Sequence, residues 1–153
     1  MPSTASSLYR AIINGSMDGP FVVDDEPVRG LLYPRFEEST YIDGQGIERT
    51  SPADIRIESG QVQTGGGTSM FDVAGWFGYT NWRYFHVPSG TEYPDNLILK
   101  KGKSKRTNRS GTLSGHHYQI EPKNPMTVDA YKGALDTFAR NAVARQVESA
   151  KAK

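Results

Sequence analysis

Val128, Tyr131, Leu135, Phe138 and Ala142 recur three and four residues apart near the end of this 153-residue chain. That spacing puts all five on one face of a long amphipathic helix. Thr127 is suited to cap it. Asp129 lies in its first turn, and Lys151 and Lys153 lie near its end, as the helix dipole favours. An apolar stripe of that length must be covered, and the rest of the sequence offers only short runs broken by Gly and Pro.

Those runs read mainly as strands. "SLYRAII" (Ser7–Ile13) reads as a buried strand ended by "NGS". "GPFVVDDEPVRGLLYP" suggests a further strand and turns, with Pro20, Pro27 and Pro34 excluding a helix. Glu37 to Gly67 reads mostly as loop, with "DIRIE" (Asp54–Glu58) as a short strand. "SMFDVAGWF" has helical spacing, with Ser69 placed to cap it and Asp72 in the first turn, so a short helix is predicted there. "RYFHVP", "NLILKK" and "GHHYQIEP" read as strands, the last ended by Pro122. With no internal repeats, this order predicts one α+β domain over residues 1–153 with a mainly antiparallel sheet.

Composition limits the functions open to such a domain. Aromatics make up 10% of the chain and recur along most of it, so it is not disordered. The absence of cysteine excludes disulfides and thiolate metal sites. Three histidines, two of them adjacent and facing opposite sides of a strand, argue against a zinc site, so no metal is expected. "MPSTASSLYRAIING" lacks the pattern of a Sec-type signal peptide, and no run is long enough to span a membrane. The net charge is +1, but "KKGKSKRTNR" (Lys100–Arg109) holds six basic residues and no acid. Such a loop can attract phosphates, nucleic acid or an acidic partner.

Few motifs carry chemistry by themselves. The glycines of "QTGGGTSMFD" form neither a P-loop, lacking a following Lys, nor a dinucleotide fingerprint, lacking spaced glycines. Pattern alone makes them a turn, and the hydroxyls of Thr68 and Ser69 beside a helix start would suit an amide or phosphate oxygen. Arg10 within an apolar strand must reach solvent at an edge, pair with a carboxylate or line a cavity. Gln119 and Glu121 share one strand face, either as a ribose-binding pair or as an exposed polar surface. Trp82, Tyr84 and Phe85 read as core side chains.

"LYRA", "GGTSMFD", "VPSGTEYPDNL", "HYQIEPKNPM" and "LDTFARNAVARQ" together resemble, in the same order, a family of type VI-secreted bacterial toxins. This is the second family of the "Tse" exported effectors, which act in the cytoplasm and are neutralised by a dedicated immunity protein. The resemblance covers nearly the whole chain and implies the split sheet of a mono-ADP-ribosyltransferase, with NAD as cofactor. It also implies delivery by a type VI secretion system, an intracellular protein or nucleic-acid acceptor, no membrane association and a monomer.

The same resemblance assigns site residues. Arg10 matches the first-strand position that binds NAD in such transferases, and Thr68 and Ser69 match the strand end that shapes the ribose and nicotinamide site. "HHYQIE" supplies the third polar residue from His117, Gln119 and Glu121; His117 falls in the family-like "HY" pair, and Glu121 is chemically the more attractive. The implied catalytic set is Arg10, Ser69, His117 and Glu121. The implied cofactor contacts are Arg10, Gly67, Thr68, Ser69, Phe71, His117 and Gln119.

Cleavage of the nicotinamide–ribose bond resembles glycoside hydrolysis in its oxocarbenium-like transition state. Arg10 would grip the pyrophosphate through its bidentate guanidinium, and Thr68 and Ser69 would fix the amide and ribose hydroxyls. The glycines would let backbone approach the cofactor. Two other readings stand beside this one: a nucleic-acid-binding module built on Lys100–Arg109, and a non-enzymatic toxin that keeps the transferase fold.

Overall fold

The computed structural model describes residues 2–13, 22–23, 26–27, 30–36, 38–51, 53–80 and 82–151. The chain enters through β1 (Leu8–Ile13), followed by the short pair β2 (Val22–Val23) and β3 (Glu26–Pro27). A hairpin of β4 (Ser39–Ile42) and β5 (Glu48–Ser51) precedes the two-residue strands β6 (Ile57–Glu58) and β7 (Gln61–Val62). Next come β8 (Thr68–Phe71), β9 (Trp82–Val87) and β10 (Leu97–Lys101). The pair β11 (Arg106–Thr107) and β12 (Ser114–Gly115) leads to β13 (His117–Pro122), β14 (Met126–Thr127) and α1 (Val128–Lys151).

Five strands form the main sheet in the order β10-β13-β8-β1-β9, with every neighbouring pair antiparallel. Leu8, Ile12, Met70, Phe85, Val87 and Ile120 are buried together with Tyr131, Leu135, Phe138 and Ala142 of α1. This is the helix stripe expected from the spacing, and the Ala130 N–H donates to the Thr127 hydroxyl at 3.1 Å as the cap requires. The α+β class and the mainly antiparallel sheet are as the sequence implied. Among the described residues, α1 is the one helix, and no helix is long and apolar enough to cross a membrane.

The local expectations fail in three places. The short helix after the glycines is absent: Thr68–Phe71 is β8, and Val73–Phe77 is bend and turn. Ser69 and Asp72 mimic a helix start, but β8 has ladder partners on both sides, Tyr9 of β1 and residues 117–120 of β13. These tertiary bonds override a pattern of one turn. Residues 37–67 hold more than loop, since β4 and β5 pair around a turn at Asp43–Gly46. "DIRIE" contributes only Ile57–Glu58 to a strand. Pro20 and Lys153 lie outside the described residues.

The main sheet splits between β1 and β8. β1 pairs with β9 at six positions and β13 with β8 at four, whereas β1 and β8 meet at a single pair, Tyr9 opposite Phe71. Beyond that pair the two strands diverge, and the gap positions the site.

Candidate active site

Residues from both sides of the split line a cavity of about 610 Å³, within the usual range for a small-molecule site. β1 contributes Arg10, Ala11 and Ile12, and β8 contributes Ser69 and Phe71. Gly30, Leu31, Tyr33, Pro34 and Arg35 form a rim with Asp54. Phe77, Trp82, Arg106 and His117 complete the lining.

Arg10 occupies the split itself. Strand alternation puts it between Leu8 and Ile12 on the core side of β1, so β1 is an interior strand and Arg10 is not an outward-pointing edge residue. Its guanidinium donates from Nη2 to the Tyr33 carbonyl at 3.0 Å and from Nη1 to the Ser69 carbonyl at 3.4 Å. The second of these bonds crosses the gap between the strands. Nε is buried without a partner among the described residues. Burial pushes the Arg10 pKa below its ordinary value, while Asp54 acts in the opposite direction and Arg35 with burial. A desolvated cation with spare donors is the chemistry of an anion-binding group.

The wall opposite is aromatic. Phe71 stacks on Trp76 with centroids 4.2 Å apart, and Phe77 stacks on Trp82 at 4.6 Å. The Phe77 N–H donates to the Tyr84 hydroxyl at 2.9 Å, and that hydroxyl donates to the Gly78 carbonyl at 2.7 Å. One phenol thereby fixes the turn that carries Phe77. His117 sits opposite Phe71 in the ladder and meets its ring edge at 5.3 Å. Burial lowers the His117 pKa, and Arg106 lowers it further. The imidazole is therefore neutral near pH 7 and able to accept or donate a hydrogen bond. His116 points elsewhere, with Nδ1 3.5 Å from the Asp72 carboxylate.

Of the residues named from sequence, Arg10, Ser69, Phe71 and His117 are brought together around the cavity. Gly67, Thr68, Gln119 and Glu121 stand behind the wall. Thr68 is fully buried and its hydroxyl donates to the Leu32 carbonyl. A Cβ on Gly67 would collide with the Ile120 carbonyl, so the glycine there serves the approach of β13 and not that of a ligand. Glu121 is 1% exposed, bound to Lys100 Nζ at 2.7 Å and accepting from Gln119 Nε2 at 2.9 Å and the Gly65 N–H at 3.3 Å. Burial raises its pKa, but these donors together hold it below the usual carboxylate value.

Phe77 and Trp82 escaped the sequence reading, and Trp82 was expected in the core. Phe85 is core as expected, whereas Trp82 lines the cavity. The density of rings in "GWFGYTNWRYF" was the available signal. Which rings face the split depends on the register of β9 against β1.

A mainly antiparallel sheet over one helix, with an arginine at the split, is consistent with an ADP-ribosyltransferase toxin domain. The family model described as the Tse2 ADP-ribosyltransferase toxin matches residues 7–147, and the chain belongs to that family. It is also 31% identical to the protein named Toxin Tse2 from Pseudomonas aeruginosa over 158 aligned residues, which cover 97% of this chain and 94% of that relative. The chain is accordingly a toxin with ADP-ribosyltransferase activity.

Proposed function

We propose that residues 1–153 form one domain that binds NAD in the split of the sheet, breaks its nicotinamide–ribose bond and transfers ADP-ribose to an intracellular macromolecule. The single observation that carries this reading is Arg10, a half-buried cation spanning the split whose Nε is buried without a partner among the described residues, in a cavity it shares with Ser69, His117 and aromatic rings. That set suits the ligand: an anion for the guanidinium, flat rings for Phe71, Phe77 and Trp82, and hydroxyls for Ser69 and His117.

NAD supplies the activated bond, whose cleavage releases nicotinamide with the bonding electron pair and develops positive charge on the ribose. In this reading Arg10 holds the pyrophosphate and Ser69 orients the nicotinamide ribose. Neutral His117 accepts or donates a hydrogen bond at a ribose hydroxyl. The aromatic wall excludes water, which strengthens each of these contacts. Thr68, Gly67, Gln119 and Glu121 hold β8 and β13 in register behind the wall. The toxin would act in the cytoplasm as a monomer, reached by type VI delivery and restrained by an immunity protein; the family membership supports this part of the reading.

The test is release of nicotinamide from NAD by the purified chain. Arg10→Ala and Ser69→Ala should each lower it by at least about tenfold while the circular-dichroism spectrum is kept. Wild-type activity in a folded Arg10→Ala protein would sink the assignment.

A further inference from the structure

The basic run read from the sequence is not an isolated loop. Lys103, Lys105, Arg106 and Arg109 are all exposed, and none forms an ion pair among the described residues. Lys100, by contrast, is engaged by Glu121, and Lys101 lies over the Tyr118 ring. The free cations lie on β11 and to either side of it. That turn is organised by Asn108, which is 7% exposed and whose Oδ1 accepts the Thr112 and Leu113 N–H groups, both at 3.0 Å.

Asn108 also fastens the basic hairpin to the aromatic turn, since its Nδ2 donates to the Trp76 carbonyl at 3.1 Å. The neighbouring Phe77 and Tyr79 are 51% and 67% exposed. Phe77 and Arg106 both line the cavity. The result is a surface beside the cavity with unpaired cations on one side and the exposed Phe77 and Tyr79 on the other.

We propose that this surface binds single-stranded nucleic acid and presents it to the transferase site, so that the acceptor is a nucleic acid. The inference rests on the proposed transferase reading for its purpose, but the binding stands on its own chemistry. Unpaired Lys and Arg track a phosphate backbone, and exposed rings stack on unpaired bases. An acidic protein would match the cations but would give the exposed Tyr79 ring nothing to stack on.

Fluorescence anisotropy with a labelled oligouridine of about 12 nucleotides tests it on the full chain. Four phosphate contacts predict a log–log salt slope of about −3 for a single strand. Lys103→Gln/Lys105→Gln/Arg109→Gln should weaken binding at least about tenfold and reduce the slope by about 2, with nicotinamide release retained. Tyr79→Ala should weaken binding about tenfold with the slope unchanged. No binding by the wild type at about 50 mM salt, or equal binding by the triple variant, overturns the proposal. Equal affinity for polyglutamate overturns it in favour of an acidic protein. If oligouridine binds as expected while no nicotinamide is released, the surface stands and the transferase reading fails.

Discussion

The carboxylate of Asp136 accepts the Tyr33 hydroxyl at 2.7 Å, tying the terminal helix to the rim of the cavity. Its other oxygen accepts the Gly30 N–H at 2.9 Å, at a glycine whose φ of 82° suits the turn. The Tyr33 carbonyl in turn accepts Arg10 Nη2 at 3.0 Å. A helix carboxylate thus sets the position of the arginine without touching the site.

Asp136→Ala should therefore act on both stability and activity. Losing two hydrogen bonds to a carboxylate at a half-buried position costs about 2 kcal/mol, a fall in Tm of about 4–8 °C. Nicotinamide release should fall mainly through a higher KM for NAD, because the Arg10 guanidinium loses its anchor. Asp136→Asn keeps one oxygen for the Tyr33 hydroxyl and should recover much of the KM. A KM unchanged in Asp136→Ala would show that the rim holds its shape unaided.

Glu121 gives a pH dependence of known sign. Its folded pKa lies below the ordinary value of 4.5, because Lys100, Gln119 and the Gly65 N–H together outweigh burial. A depressed carboxylate contributes stability that is complete above its unfolded pKa and lost as pH falls through the folded one. Glu121→Gln should lower Tm near pH 7, and its difference from the wild type should narrow as the pH falls through the depressed folded pKa of the wild-type carboxylate. Melting curves across an acid pH series check this. Nicotinamide release should fall less than in Arg10→Ala, as befits a carboxylate behind the wall.

How much of this was legible beforehand depended on the range of the interactions concerned. The helix announced itself because Val128 to Ala142 repeat at its own period, and β1, β9, β10 and β13 because their runs are apolar and bounded by turn residues. The segment "TSMF" did not, since four residues fit either period and its partners lie in β1 and β13, far along the chain. Arg10, Ser69, Phe71 and His117, which the family resemblance singles out, line one cavity. Trp82 and Phe77 were not, because their facing is decided by the β1–β9 register and by the Tyr84 hydroxyl. Neither contact has a local sequence signature.

The charge of Arg106 acts on the His117 imidazole, and removing it gives a measurable shift. Burial is the larger cause of the lowered imidazole pKa, and the Arg106 charge adds to it. Arg106→Gln removes the second cause, so the His117 pKa should rise toward the ordinary value of 6.5. In the proposed reading the neutral imidazole is the working form, so the acid limb of the pH–rate profile should move to higher pH in the variant. NMR titration of the His117 ring proton reads the pKa directly. A ring titration that moves without the acid limb would remove His117 from the rate-determining chemistry.

Gly67 and Gly133 should respond to alanine in opposite directions. At Gly67 an added Cβ meets the Ile120 carbonyl and the Glu121 backbone, and neither can retreat without breaking the β8–β13 ladder. Tyr131 holds the same carbonyl from the other side through its hydroxyl at 3.0 Å. Gly67→Ala should cost about 3 kcal/mol, or about 6–12 °C in Tm. At Gly133, on the exposed side of α1, nothing lies within 4 Å of the new Cβ. Alanine there should stabilise by up to about 1 kcal/mol through helix propensity. Thermal melts of the two variants decide the matter. A neutral Gly67→Ala would mean that the glycines serve ligand access after all, and nicotinamide release in the same protein would then have to fall.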